Sequence, residues 1–256
     1  MLARIVAECG GCLPEGYTVL FANTGREMPE TLDFVDAVSA HLGVPIVWLE
    51  YRCPDGGQHD YTVTSYAEAS RSGQPFQQLI DKKRMLPNVV RRFCTEQLKI
   101  ETMRRYLADQ GVREYTNIIG LRADEPRRLA KMRARNATDS LRYTVAPMAE
   151  WGTSKWDVVE FWRRQSFDLA LPSDGGVTPL GNCDMCFLKG AGRLSSIARD
   201  NPERSVWWVD QESKIASGPN KTSNARFIKG FRYEDLPGLV SDSLLPEPVE
   251  CLGCTD

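Results

Sequence analysis

Tyr17-Thr18-Val19-Leu20-Phe21-Ala22, followed at once by Asn23-Thr24-Gly25, is the stretch that decides the fold. An apolar run rich in aromatic and β-branched residues that ends on a small polar turn reads as a buried strand. Pro29-Glu30-Thr31 then opens a helix through about Leu42, with proline in the first turn, where its missing N–H is tolerated. Val44 to Tyr51 (VPIVWLEY) reads as a second strand, followed by a polar, glycine-bearing loop. Residues near 77–110 read as mostly helical, broken around Pro87 and carrying Cys94. Thr116 to Leu121 is a third strand, running straight into Arg122-Ala123-Asp124-Glu125. Upstream, Met1 to Glu8 is a short apolar-rich segment stopped by Gly10-Gly11.

Strand, helix, strand, helix, strand is the rhythm of an open sheet with helices on both faces. The expected fold is therefore a three-layer, doubly wound α/β domain with a mainly parallel sheet. Such sheets bind ligands beyond the carboxyl ends of their strands, where Asn23-Thr24-Gly25 and Gly120-Leu121-Arg122 both lie. A glycine after a strand lets the backbone approach a ligand closely; the competing reading is an ordinary strand-to-loop turn. Past Pro147 the pattern changes. Trp156 to Gln165 reads as an amphipathic helix, a Gly/Pro-rich stretch follows, and one or two helices and an irregular tail lie beyond about residue 190. The expected division is an α/β domain over 1–146 and a small helical, cysteine-bearing C-terminal subdomain over 147–256, folded over the strand ends. No internal repeat or low-complexity segment interrupts this reading.

At 256 residues the chain can bury a substantial core. A net charge of −2 gives no global sign of a nucleic-acid binder, yet Arg122, Arg127, Arg128, Lys131, Arg133 and Arg135 fall within fourteen residues. No apolar stretch is long enough to span a bilayer and the N-terminus lacks signal-peptide architecture, so a cytoplasmic location is expected. Without an export signal the eight cysteines read as reduced thiols or metal ligands rather than disulfides. Their layout is specific: Cys94 alone, then Cys183-Asp184-Met185-Cys186, then Cys251-Leu252-Gly253-Cys254. A CxxC pair can bind one metal or cluster from a single turn, with a distant partner closing the site. Cys9, Cys12 and Cys53 read as structural thiols. His41 and His59 have no partner motif, so a histidine-based triad is not expected. Trp207-Trp208 reads as packing, with a base-stacking platform as the alternative.

Several segments together resemble a known family in order and spacing. They are Asn23-Thr24-Gly25 with Pro29-Glu30-Thr31, Arg92-Phe93-Cys94-Thr95 with Leu98-Lys99, and Gly120-Leu121-Arg122-Ala123-Asp124-Glu125 with Arg127-Arg128. Pro147-Met148-Ala149-Glu150-Trp151, Trp156-Asp157-Val158 and the first CxxC continue the likeness, which covers about residues 17–190. The family is that of phosphoadenosine phosphosulfate (PAPS) reductases, within the PP-loop or adenine nucleotide alpha-hydrolase superfamily. The nearest likeness is to a PAPS-reductase-like subgroup often found in phage and mobile elements, with a cysteine-containing tail before Thr-Asp.

The resemblance implies that residues 1–146 form a nucleotide-binding domain taking ATP or PAPS. Asn23, Thr24 and Gly25 would lie at the adenine or ribose, with Gly120, Arg122 and Arg127 at the phosphates or sulfonate, which guanidinium forks grip bidentately. It also implies a 4Fe–4S cluster on Cys94, Cys183 and Cys186. Iron–sulfur members carry adjacent cysteines at the first site, whereas Thr95 follows Cys94 here; Cys254 is the choice for the missing ligand over Cys251. Zn²⁺ is the alternative metal, and free thiols a third reading. Asp124-Glu125 are candidates to help hold a metal, and Mg²⁺ is an allowed companion of the nucleotide; the bland reading is that they cap the next helix.

Members without a cluster use a C-terminal cysteine, within Glu-Cys-Gly-x-His, as nucleophile on the sulfonate sulfur. Glu250-Cys251-Leu252-Gly253-Cys254 lacks the histidine and displaces the glycine, which makes Cys251 the candidate nucleophile and puts plain PAPS reduction in question. Two chemistries fit: sulfonucleotide reduction, with a thiol or electron-donor protein as partner, or ATP-dependent adenylation of an oxygen that a sulfur or nitrogen nucleophile then attacks. The non-enzymatic alternative is a zinc-stapled, catalytically degenerate module that uses its basic segment on nucleic acid. The family's Ser-Gly-Gly-x-x-Ser loop, whose N–H groups hold phosphates, is not found, and Met1-Leu2-Ala3-Arg4 resembles the start of the helix that would follow it. The favoured expectation is a start at an internal methionine; the alternative is true loss of the loop.

Overall fold

The computed structural model describes residues 1–54, 57–139, 141–173, 176–218 and 225–239. Cys251 and Cys254 lie outside the described residues.

Strand β1 (Val19–Asn23) leads through helix α2 (Pro29–Leu42) into β2 (Ile46–Arg52), which pairs with β1 in parallel from Val19↔Ile46 to Asn23↔Glu50. The short helix α1 (Leu2–Glu8) precedes this βαβ unit. Helix α2 starts where the sequence places it, at Pro29, and stops at Gly43, whose φ of 61° supplies the left-handed cap that a side chain would resist. Strand β3 (Asp60–Thr64) then pairs antiparallel with β2, in the region expected to be a polar loop. It is a half-exposed edge strand of five residues, too short and too polar to announce itself.

Helix α3 (Gln74–Lys83) follows, then a π-helical segment, Thr95–Glu101, that runs into α4 (Thr102–Asp109). A second βαβ unit comprises β4 (Tyr115–Ile118), α5 (Pro126–Asn136) and β5 (Arg142–Val145), with β4 and β5 parallel. Strand β5, four residues long and following a basic helix, is also absent from the sequence expectation. Among the described residues the strands form two small sheets, β1-β2-β3 and β4-β5, rather than one continuous sheet. The rest is helical: α6 (Pro147–Glu150), α7 (Lys155–Arg163), α8 (Ala191–Asp200), α9 (Pro202–Ser217) and a 3-10 turn, Tyr233–Gly238.

Helix α7 is opened by a capping box, Ser154 with Asp157, and Trp162 near its end meets Phe34 of α2 edge-on at 5.0 Å. Phe167 lies tilted against the exposed His41 at 4.8 Å. The largest core cluster joins Tyr51 and Cys53 with Phe76, Leu79 and Ile80 of α3, and with Met185, Leu194, Trp208, Phe227 and Tyr233. It thus draws on both sides of residue 146. Trp208 is fully buried, stacked on Tyr233 at 5.4 Å and edge-on to Phe227 at 4.8 Å. Burying each such ring contributes about 1.5–3 kcal/mol, so this cluster is what pins the 183–189 turn in place.

Candidate functional site

The carboxyl end of β1 and the first CxxC turn meet directly. An isolated antiparallel bridge pairs Glu27 with Cys183, and Asp184 N–H donates to the Arg26 carbonyl at 2.8 Å. The Thr24 hydroxyl lies 3.5 Å from Cys183 Sγ and donates to Glu27 Oε2 at 2.8 Å. Lys99 Nζ, from the π-helical segment, stands 3.7 Å from the other oxygen of Glu27. Strand end and thiol therefore form one locus.

Hydrogen bonds fix the Asn23-Thr24-Gly25 turn. Asn23 donates to Glu50 Oε1 at 2.6 Å and to the Ser70 carbonyl at 2.9 Å, while its own Oδ1 accepts from Gly25 N–H at 3.1 Å. Gly25 has a φ of 78°, and a Cβ there would lie 2.6 Å from Ser70 Oγ and 3.0 Å from Gly73 Cα. Its need for glycine thus comes from both backbone conformation and a close approach. Asn23 and Thr24 are fully enclosed, so a ligand at this strand end meets the turn's backbone and rim rather than their side chains.

Behind Cys183 the turn is held by three charged groups, the buried Arg26 and Asp184 and the half-buried Lys189. Arg26 pairs with Asp184, and Trp208 Nε1 and Met185 N–H donate to Asp184 Oδ1 at 3.0 and 2.8 Å. Burial pushes the Asp184 carboxyl up, against the pull of Arg26, so the pair sets geometry more than it adds net stability. Lys189 Nζ donates to the carbonyls of Gly181, Cys183 and Asp184 at 2.7, 2.7 and 3.1 Å, stitching the turn from beneath. Burial pushes Lys189 down, while both CxxC cysteines favour its charged form. The Cys183 thiol is pushed well up by burial, then by Glu27 and Cys186, with Lys99 and the Thr24 bond opposing. A thiol held protonated in this way is a poor free nucleophile but can lose its proton to a metal. Two buried polar atoms at the locus, Arg26 Nε and Glu27 Oε1, have no hydrogen-bond partner among the described residues.

Cys94 caps the π-helical segment and packs, like Cys183 and Cys186, on the edge of the main core. Even so, among the described residues no group of three or more His, Cys, Asp or Glu side chains is placed to hold a metal ion. The CxxC turn by itself fits half of a metal or cluster site.

At the end of β4, Arg122 is already engaged: Nε bonds Asp124 Oδ1 at 2.9 Å, Nη2 lies 3.8 Å from Glu125 Oε1, and its backbone N–H donates to Glu125 Oε2 at 2.9 Å. Asp124 Oδ2 accepts from Lys155 N–H at 2.9 Å, at the start of α7. Partial burial works to raise the Asp124 carboxyl, but this N–H and the Arg122 guanidinium hold it below its usual value. Asp124 thus caps α7 and pairs with Arg122, while Glu125 pairs with Arg122 and Arg128 and makes no side-chain cap on α5. Arg127 is exposed on α5, and Gly120 has open space beside it, a Cβ there meeting only Met148 Sδ at 3.7 Å. The residues that build the locus beyond the sequence candidates are Arg26, Glu27, Lys99 and Lys189. Lys99 belongs to a segment that carries the family likeness, whereas the only sequence signal of Arg26, Glu27 and Lys189 was adjacency to Thr24-Gly25 and to the CxxC.

Comparison with known proteins agrees with this architecture. The sequence matches the phosphoadenosine phosphosulfate reductase domain over residues 3–181, and the chain belongs to that family, a group of nucleotide-binding α/β domains of PP-loop type. It is 32% identical over 218 residues to the uncharacterized nin region protein ORF290 of Escherichia phage lambda, covering 82% of this chain and 70% of that protein. That relative supports a phage-type subgroup. No solved structure matches the chain. Among the described residues no helix is long and apolar enough to cross a membrane.

Proposed function

We propose that the chain is a cytoplasmic, PAPS-reductase-like enzyme that binds an adenine nucleotide, PAPS or ATP, across the carboxyl ends of β1 and β4. On this reading the two sheets belong to one three-layer domain over 1–146, and residues 147–256 form the cysteine-bearing subdomain lying over it. Cys94, Cys183 and Cys186, with Cys254, hold a 4Fe–4S cluster, Zn²⁺ being the alternative occupant. The cluster supplies redox or sulfur-binding capacity when present. The chain's own groups do the rest. Asn23, Thr24 and Gly25 shape the rim at the adenosine, and Gly120 leaves room for the phosphates. Arg122, pre-oriented by Asp124, and Arg127 attract the phosphate or sulfonate, and Lys99 and Lys189 offset the charge of the thiolates. Cys251 is the candidate nucleophile, because desolvation, Glu27 and Cys186 keep the half-buried Cys183 thiol protonated.

The observation that carries this reading is the bridge between Glu27 and Cys183, which puts the strand end and the thiols in one place. The test is a melting curve of the full chain, purified anaerobically, with ATP, PAPS or neither, alongside iron, sulfide and zinc analysis. A rise of Tm with either nucleotide is expected, since binding to the native state alone stabilises it. About four irons and four sulfides per chain identify the cluster, whereas one zinc and no sulfide replaces it with a structural site. No shift with either nucleotide overturns the enzyme reading.

A further inference from the structure

We propose that the outer face of α5 is a docking surface for the phosphodiester backbone of a nucleic-acid duplex. The inner face of the helix carries Leu129 and Met132, packed with Leu121 and Ala146. On the outer face Arg127, Lys131 and Arg135 follow one another at intervals of four residues, and all three are exposed. At 1.5 Å per residue they mark a line about 12 Å long. Arg133, about 160° round the helix from Arg135, belongs to the other flank. The exposed neighbours on the line are Ala130 and Ala134, small enough to let a backbone lie close.

This line breaks three local rules at once. An ordinary solvated helix face interleaves acids with bases, whereas Pro126–Asn136 contains no Asp or Glu. Two like-charged pairs at four-residue spacing, Arg127 with Lys131 and Lys131 with Arg135, each cost roughly 0.2–0.5 kcal/mol. Arg127 also sits in the first turn, where the helix dipole disfavours a cation. Among the described residues none of the three has a carboxylate partner, because the adjacent Glu125 is taken by Arg122 and Arg128. A helix that keeps uncompensated charge against its own stability has that charge available for something else.

The occupant must be a polyanion that needs no apolar anchor. A bilayer-binding helix would present large apolar groups beside its cations, and a peptide groove would present an anchoring pocket; this face offers alanines. Duplex nucleic acid carries one charge per about 1.7 Å of axis counting both strands, so a length of about 12 Å holds roughly seven phosphate charges, enough to offer one to each of the three cations. The chain's net charge of −2 provides no general attraction, and binding must come from this local line. The proposal shares Arg127 with the nucleotide reading, and its test therefore changes only Lys131 and Arg135.

The experiment is a fluorescence titration of the full chain with a 30-base-pair DNA duplex between 50 and 200 mM salt, repeated with an RNA duplex of equal length. Three phosphate contacts predict a log–log salt slope of about −2.7, or a loss of affinity of about 40-fold over that range. The variant Lys131→Ala/Arg135→Ala, at two exposed positions where alanine suits a helix, should reduce the slope to about −0.9 and the loss to about 3–4-fold. The tighter of the two duplexes names the source of the backbone. Three results overturn the proposal: no binding at 50 mM salt, a double variant that binds like the parent, or an equal loss in Arg163→Ala/Arg164→Ala on α7. Anionic vesicles that compete as well as DNA would assign the face to a membrane instead.

Discussion

Around Cys183 the chain spends buried charge on geometry; along α5 it leaves charge in solvent. Asp184 takes one cation and two N–H donors, and Lys189 takes three carbonyls of the same turn. Among the described residues, Arg127, Lys131 and Arg135 are held by nothing comparable, and they rest on a helix whose inner contacts are a handful of aliphatic side chains. The first arrangement can tolerate little change because each group removed strands another in low dielectric. The second can lose its charges with almost no effect on folding. Fold and ligand binding are thus separable by mutation in one region and inseparable in the other.

The sharpest test of that contrast is Asp184→Ala. It leaves the Arg26 guanidinium and Trp208 Nε1 buried without their acceptor, and an expected loss of about 3–5 kcal/mol follows from the unpaired charge alone. Urea unfolding measures it directly, and a loss under about 1 kcal/mol would mean that the turn is not held as described. Next in size is Gly25→Ala. The left-handed backbone costs about 1–2 kcal/mol and the clash with Ser70 and Gly73 about 1–3 kcal/mol more. The same titration checks it, and a neutral result would show that the turn relaxes freely.

How much of this was legible follows the same division. Helix α2 declares both ends, with Pro29 and Gly43, and the aromatic β-branched run at 17–22 gives β1 its core. Strands β3 and β5 were not legible. They are short, polar and half exposed, and partner strands rather than their own apolar pattern decide them. The CxxC turn stood out in the sequence because two thiols in one turn have few other uses, and the structure sets it against the end of β1. Its support was not: Arg26 and Lys189 look like any surface cations until the chain buries them. Asp124-Glu125 allowed two readings; neither side chain caps α5, the helix that follows, and their bonds go instead to Arg122, Arg128 and the Lys155 N–H of α7.

A pH titration separates the packed half further. His59 is nearly enclosed, with Nδ1 3.3 Å from Gln97 Oε1 and Nε2 3.2 Å from Thr102 Oγ1. Burial, against the Gln97 bond and helped by Arg105, lowers its pKa below the usual 6.5. The unfolded chain therefore takes up a proton first as pH falls. Stability due to this group is complete above the unfolded value and is lost as pH falls from about 6.5 towards the lower folded one, by at most about 1.4 kcal/mol per pH unit. Unfolding free energies from pH 7.5 to 5 should show that slope, and His59→Gln should flatten it.

The smallest expected effect is the most discriminating for the comparison. Lys131→Ala/Arg135→Ala removes two solvent-exposed charges that repel each other and puts the best helix former in their place. Stability should stay within about 0.5 kcal/mol of the parent, or rise slightly, because two unfavourable like-charge pairs disappear. Denaturant midpoints of parent and variant in low salt measure the difference, and high salt should shrink it as screening removes the repulsion. A destabilisation above about 1 kcal/mol would show that these cations hold the fold after all. The two regions would then differ only in degree, and the outer face of α5 could no longer be read as charge kept free for a partner.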